Sequence, residues 1–120
     1  MNGAEVRTRI SIAYGVETIF GVPGDPNVRF YETLQLHEDA ITLVRTRDER
    51  SAGFMAGACG RFADKPGIVE CPPEAGAMHS LPSIAERNAA GEPVLLLTID
   101  IPLPGARRGV LTQRDFARLL

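Results

Sequence analysis

Four short apolar runs, each followed by a turn and a helix-length segment, constrain this chain most. They are Thr18-Ile19-Phe20-Gly21-Val22, Ile41-Thr42-Leu43-Val44, Gly67-Ile68-Val69-Glu70-Cys71 and Val94-Leu95-Leu96-Leu97-Thr98. Runs this short, bounded by Gly and Pro and with little polar alternation, read as strands buried on both faces. The segments between them read as helices. From Gly3 to Tyr14, the residues Val6, Ile10 and Tyr14 recur every four positions and predict one apolar helix face. Asn2 suits its N-cap and Gly15 its C-terminal stop. Pro23-Gly24-Asp25-Pro26 breaks the first strand, and Asn27 suits the cap of a helix reaching about Leu36. Further helices are predicted from about Glu49 to Phe62 and from about Gly76 to Asn88, with another starting at Thr112. Strands alternating with helices close right-handed crossovers around a parallel sheet. The fold class predicted is α/β: a three-layer α/β/α arrangement.

The chain's 120 residues are enough for one domain, burying roughly 65% of the surface an unfolded chain exposes. With 13 basic and 15 acidic residues the net charge is −2, so no pull toward nucleic acid is expected. Arg45, Arg47 and Arg50, with Arg107 and Arg108 further on, are too few for a phosphate-backbone footprint. Cys59 and Cys71 are too far apart for a Cys-x-x-Cys pair, and adding His37 and His79 does not make a metal site. They read as reduced thiols, no metal ligand is assigned, and the expected location is cytoplasmic. No apolar run nears the ~20 residues that span a bilayer, so no membrane partner is expected.

In parallel α/β sheets, ligands sit beyond the C-terminal ends of the strands. That places three segments at the candidate site: residues 21–27, 45–51 and 71–79. In the first, Gly21-Val22-Pro23-Gly24-Asp25 is either a plain structural turn or a loop that lets backbone approach a ligand. It is not a G-x-G-x-x-G fingerprint, so a nicotinamide-binding domain fits poorly. In the second, Glu49 stands at a strand-to-helix junction. Two roles fit the residue by itself: a first-turn acid complementing the helix dipole, or a functional carboxylate. The helix behind it, Ser51-Ala52-Gly53-Phe54-Met55-Ala56-Gly57-Ala58, is so rich in small residues that another backbone must pack against it.

Val16-Glu17-Thr18-Ile19-Phe20-Gly21-Val22-Pro23-Gly24 and, further on, Arg47-Asp48-Glu49-Arg50-Ser51-Ala52-Gly53-Phe54-Met55-Ala56, in this order, resemble the acetolactate-synthase and 2-oxo-acid-decarboxylase superfamily of thiamine-diphosphate enzymes, specifically its N-terminal pyrimidine-binding domain. The first looks like the family's opening, and the second resembles its R-H-E-x-x-A-x-x-M-A segment. Lys65-Pro66-Gly67, Leu81-Pro82, Pro93-Val94-Leu95-Leu96-Leu97-Thr98 and Arg108-Gly109-Val110-Leu111-Thr112-Gln113 follow at matching spacing. The resemblance implies that Glu49 bonds N1′ of the cofactor's aminopyrimidine and favours the tautomer that generates the ylid. It places Pro23, Gly24 and Gly76 against the cofactor, and Asp25 and Gln113 toward the substrate. Asp25 reads equally as a turn aspartate bonding its own backbone, and Gln113 as part of a helix start.

The departures are local. The family's G-P-S-G-G-G-A is replaced by Cys71-Pro72-Pro73-Glu74-Ala75-Gly76-Ala77, Asp48 replaces a histidine, and Cys59-Gly60 replaces Tyr-Ala. The Gly-Asp-Gly motif that holds magnesium and diphosphate in the family's C-terminal domain does not occur here. The expectation is a domain cut short relative to the family, inactive in isolation. A diphosphate-binding domain or subunit would complete its site, bringing Mg2+, in a homo- or hetero-oligomer acting on a small 2-oxo acid. Relatives can bind FAD through a middle domain, which nothing here supports. The alternative is a non-catalytic α/β remnant or interaction module that kept the fold without the chemistry.

Overall fold

The computed structural model describes residues 2–99. The predicted helix start at Thr112 and the substrate-facing assignment of Gln113 lie outside the described residues. Within them the chain runs α1 (Gly3–Ala13), β1 (Thr18–Gly21), a 3-10 turn (Asp25–Asn27), α2 (Val28–Gln35), β2 (Thr42–Arg45), α3 (Glu49–Ala63), β3 (Gly67–Cys71), α4 (Ala75–Ala89) and β4 (Val94–Thr98). The four strands form one parallel sheet in the order β2-β1-β3-β4. The architecture is the three-layer α/β/α arrangement that the alternation predicts.

Strand pleating sends successive side chains to opposite faces, which separates two apolar clusters. Ile19, Ile41 and Ile68 meet Phe30 and Leu34 of α2, with Ala4 and Ile12 of α1 packed beside them. Phe20 and Val69 meet Ala52 and Ala56 of α3, with Val44, Ile84 and Leu96 around them. Thus α1 and α2 cover one face, and α3 and α4 the other.

Three expectations are corrected. The inward stripe of α1 is the buried Thr8 with the half-buried Ala4 and Ile12, whereas Val6, Ile10 and Tyr14 face outward, Tyr14 being 83% exposed. Both sets repeat every four residues, so periodicity by itself does not choose between them. Thr8 tolerates burial because its hydroxyl donates to the Ala4 carbonyl at 3.0 Å. Strands buried on both faces occur only at the centre: β3 is buried throughout, but β2 and β4 lie at the edges and Leu95 is 49% exposed. Asn27 occupies the N-cap position of α2, as expected, but its side chain makes no capping hydrogen bond. That side chain turns back, accepting from the Gly24 amide at 2.6 Å and donating to Glu70.

Candidate functional site

All three segments that the sequence places beyond the strand ends adjoin one another. The Thr46 amide, just past β2, donates to the Gly21 carbonyl at the end of β1 at 2.8 Å. A Cβ on Gly24 would lie 2.9 Å from Pro72 Cγ, so the turn after β1 rests on the turn after β3. Gly76 closes the group: its absent Cβ would come within 3.2 Å of Glu49 Oε1 and 2.8 Å of Pro72 Cδ. Pro23 and Asp25 are exposed at the rim of this cluster.

Glu49 is the first residue of α3, and its orientation follows from two local devices. Asp48 caps the helix by accepting from the Arg50 amide at 2.8 Å. The Arg50 guanidinium grips the same carboxylate at 2.6 and 2.9 Å, which holds Asp48 well below the usual carboxylate range. With Asp48 engaged as the cap, Glu49 is left to point elsewhere. It heads a row spaced four apart, Glu49, Gly53 and Gly57, that runs along the contact with α4. A Cβ on Gly53 would overlap Ser83 Oγ and lie 2.8 Å from Ser83 Cβ, and one on Gly57 would press on Arg87. The glycines therefore bring α3 and α4 close enough for Glu49 to reach the first turn of α4. There Oε2 lies 3.4 Å from His79 Nδ1, and the side chain remains 12% exposed.

The loop after β1 is pinned from behind by a buried polar group. Glu70, fully buried in β3, accepts from Asn27 at 2.9 and 3.1 Å and lies 3.5 Å from the Arg7 guanidinium. The Asn27 amide also donates to the Val22 carbonyl at 3.3 Å. Burial pushes the Glu70 carboxyl above its ordinary range, opposed in part by Tyr31, Arg7 and Asn27. The same burial, reinforced by Glu70, pushes the Tyr31 phenol well above its usual range. It also lowers Arg7, which Glu70 partly restores. Burial raises the Cys71 thiol to about 12, leaving it protonated and unreactive.

Sequence reasoning did not assign Glu70 or pair His79 with Glu49. A charged residue inside a strand read as buried was the available signal for Glu70. For His79 the signal was its spacing of three from Gly76, which puts both on one helix face. Among the described residues no group of three His, Cys, Asp or Glu side chains could hold a metal ion. No described helix is long and apolar enough to cross a membrane.

Fold and site define a parallel α/β domain that presents a carboxylate, at a helix start, to the C-terminal edge of its sheet. Residues 1–119 match the family model described as "Thiamine pyrophosphate enzyme, N-terminal TPP binding domain". The chain belongs to that family. It is 33% identical to an acetolactate synthase of Bacillus subtilis over 79% of its length, covering 16% of that protein. It is 31% identical to a probable 2-ketoarginine decarboxylase of Pseudomonas aeruginosa, over 82% of the chain and 17% of the relative. With a 2-hydroxyacyl-CoA lyase of Saccharomyces cerevisiae it shares 28% identity over 89% of the chain and 19% of that protein. The chain spans less than a fifth of the length of these relatives.

Proposed function

We propose that this domain holds the aminopyrimidine half of thiamine diphosphate and that Glu49 is its activating acid. The reading rests on one observation: the Glu49 carboxyl is held at the sheet edge between Gly76 and His79, mostly buried yet not closed off. The residues fit that half of the cofactor. A carboxyl in small-residue surroundings suits a hydrogen bond to a ring nitrogen, and the absence of a side chain on Gly76 keeps space beside Oε1. Thiamine diphosphate, when bound, supplies the carbon nucleophile and electron sink. Glu49 would hold and return a proton at the pyrimidine N1′, while Pro23 and Gly24 would wall the ring from the β1 side. Asp25, at the exposed rim, would face a 2-oxo acid, the substrate class in the name of the 2-ketoarginine decarboxylase relative. Gln113 is proposed for the same side.

Diphosphate and Mg2+ would be held by a second domain or subunit, since the 120 residues carry no Gly-Asp-Gly motif. The test is to assemble the chain with its diphosphate-binding counterpart, load thiamine diphosphate and Mg2+, and follow exchange of the cofactor's C2 proton. Glu49→Gln is expected to lower exchange by about 100-fold or more, the scale of a lost general acid, while assembly is unchanged. Exchange at the wild-type rate in Glu49→Gln would remove this residue from the mechanism.

A further inference from the structure

The approach of His79 to Glu49 goes beyond the activating role proposed for the carboxyl. Gly76 and His79 lie three apart in the first turns of α4 and so share a face. That face meets Glu49 because the Gly53–Ser83 contact draws the two helices together one turn further down. The two oxygens of Glu49 consequently have different surroundings. Oε1 faces the space left by the absent Gly76 side chain, where a Cβ would sit 3.2 Å away. Oε2 faces His79 Nδ1 at 3.4 Å. Glu49 is 12% exposed and His79 66% exposed, so the carboxyl is the buried member of the pair and the imidazole the exposed one.

We propose that His79 is a positioning residue for Glu49, engaging Oε2 through Nδ1 so that Oε1 is presented to the ligand. The inference deepens the reading of Glu49 as activating acid and rests on it. A carboxyl on a side chain with three rotatable bonds samples several orientations. A partner on one oxygen reduces that freedom and fixes which oxygen meets the pyrimidine nitrogen. A contact from Nδ1 to Oε2 would also leave the Oε1 side free to hold the proton.

The pairing is tested first on the full chain, by NMR chemical shifts of both histidine rings at one fixed pH, with His37 as internal reference. In Glu49→Gln the His79 ring resonances are expected to move measurably, because Nδ1 loses its carboxylate neighbour at 3.4 Å, while those of His37 stay in place. Unchanged His79 resonances in a folded Glu49→Gln chain would overturn the proposal. Should that variant not fold, the carboxyl carbon of Glu49 is followed instead in His79→Ala. A carboxyl chemical shift identical to wild type at the same fixed pH is then the overturning result.

The consequence is tested in the loaded assembly. His79→Ala is expected to slow C2 proton exchange about tenfold. His79→Asn, whose side-chain N–H occupies the place of Nδ1, is expected to restore it to within about threefold. A purely structural histidine would not be rescued in this way. If Glu49→Gln leaves exchange intact, the activating role itself fails. If Glu49→Gln abolishes exchange and His79→Ala matches wild type, only the positioning role fails.

Discussion

The residue that shows most sharply how this domain trades burial against order is Glu70. It lies fully buried on the central strand, and its partners Asn27 and Arg7 come from the 3-10 turn and from α1. Truncation to Ala leaves the Asn27 amide with only the Val22 carbonyl and Arg7 without its counter-charge, costing about 1–3 kcal/mol and loosening residues 22–27. Urea denaturation measures the first effect and amide exchange across the turn the second. The raised carboxyl also fixes a pH dependence. Its stabilising contribution is complete below the ordinary carboxyl range and is lost as pH rises through the higher folded value. Glu70→Gln removes that loss, so its stability relative to wild type should be greater at about pH 8 than at about pH 4. A constant difference between the two would refute the assignment. Glu74 offers a second residue-scale prediction. It sits at φ +61°, ψ −103°, where the family's pattern has glycine and side chains are strained. Glu74→Gly is expected to relieve about 1 kcal/mol, read as a higher melting temperature.

At the scale of elements, glycines set the distances at which helices and strands meet. The small-residue composition of α3 predicts close packing by another backbone, and two different partners supply it. Gly53 and Gly57 admit α4, whereas Gly60 admits the chain entering β3, with the Gly67 nitrogen 2.6 Å from where its Cβ would stand. Gly67 is tighter still, since its Cβ would overlap the Ala56 carbonyl, which is backbone and cannot swing aside. Gly67→Ala is therefore expected to destabilise the domain by about 1–3 kcal/mol through overpacking. Gly3→Ala, in open space in the first turn of α1, should be neutral or stabilising by up to about 1 kcal/mol. Comparing the two variants by thermal melting checks the argument, and equal effects would contradict it. The same element scale explains why α1 is misread from its pattern. Two four-residue series run along it, and only the position of the sheet selects Ala4, Thr8 and Ile12.

For the molecule as a whole, the 120 residues by themselves are expected to show no turnover of pyruvate with thiamine diphosphate and Mg2+, because the role proposed for Glu49 concerns only the pyrimidine half of the cofactor. Measurable decarboxylation by the purified chain would contradict this. The fold was legible at this scale: alternating apolar runs and helices, with the right-handed crossover rule, imply a parallel sheet and place residues 21–27, 45–51 and 71–79 at one edge. The order of those segments carries the family, because strand ends and their turns recur at fixed intervals along the chain. Glu49 at a helix start is equally a sequence-level fact. What only the tertiary structure decided is how that carboxyl is held. The sequence by itself determined which residues lie near the sheet edge, since local pattern and chain order are one-dimensional properties. The pairing of Glu49 with His79, the pinning of Asn27 by Glu70, and the buried face of α1 depend on how separate elements approach in space. Those distances are set by packing between residues 30 to 43 positions apart, as for Glu49 with His79 and Asn27 with Glu70, and no local spacing encodes them.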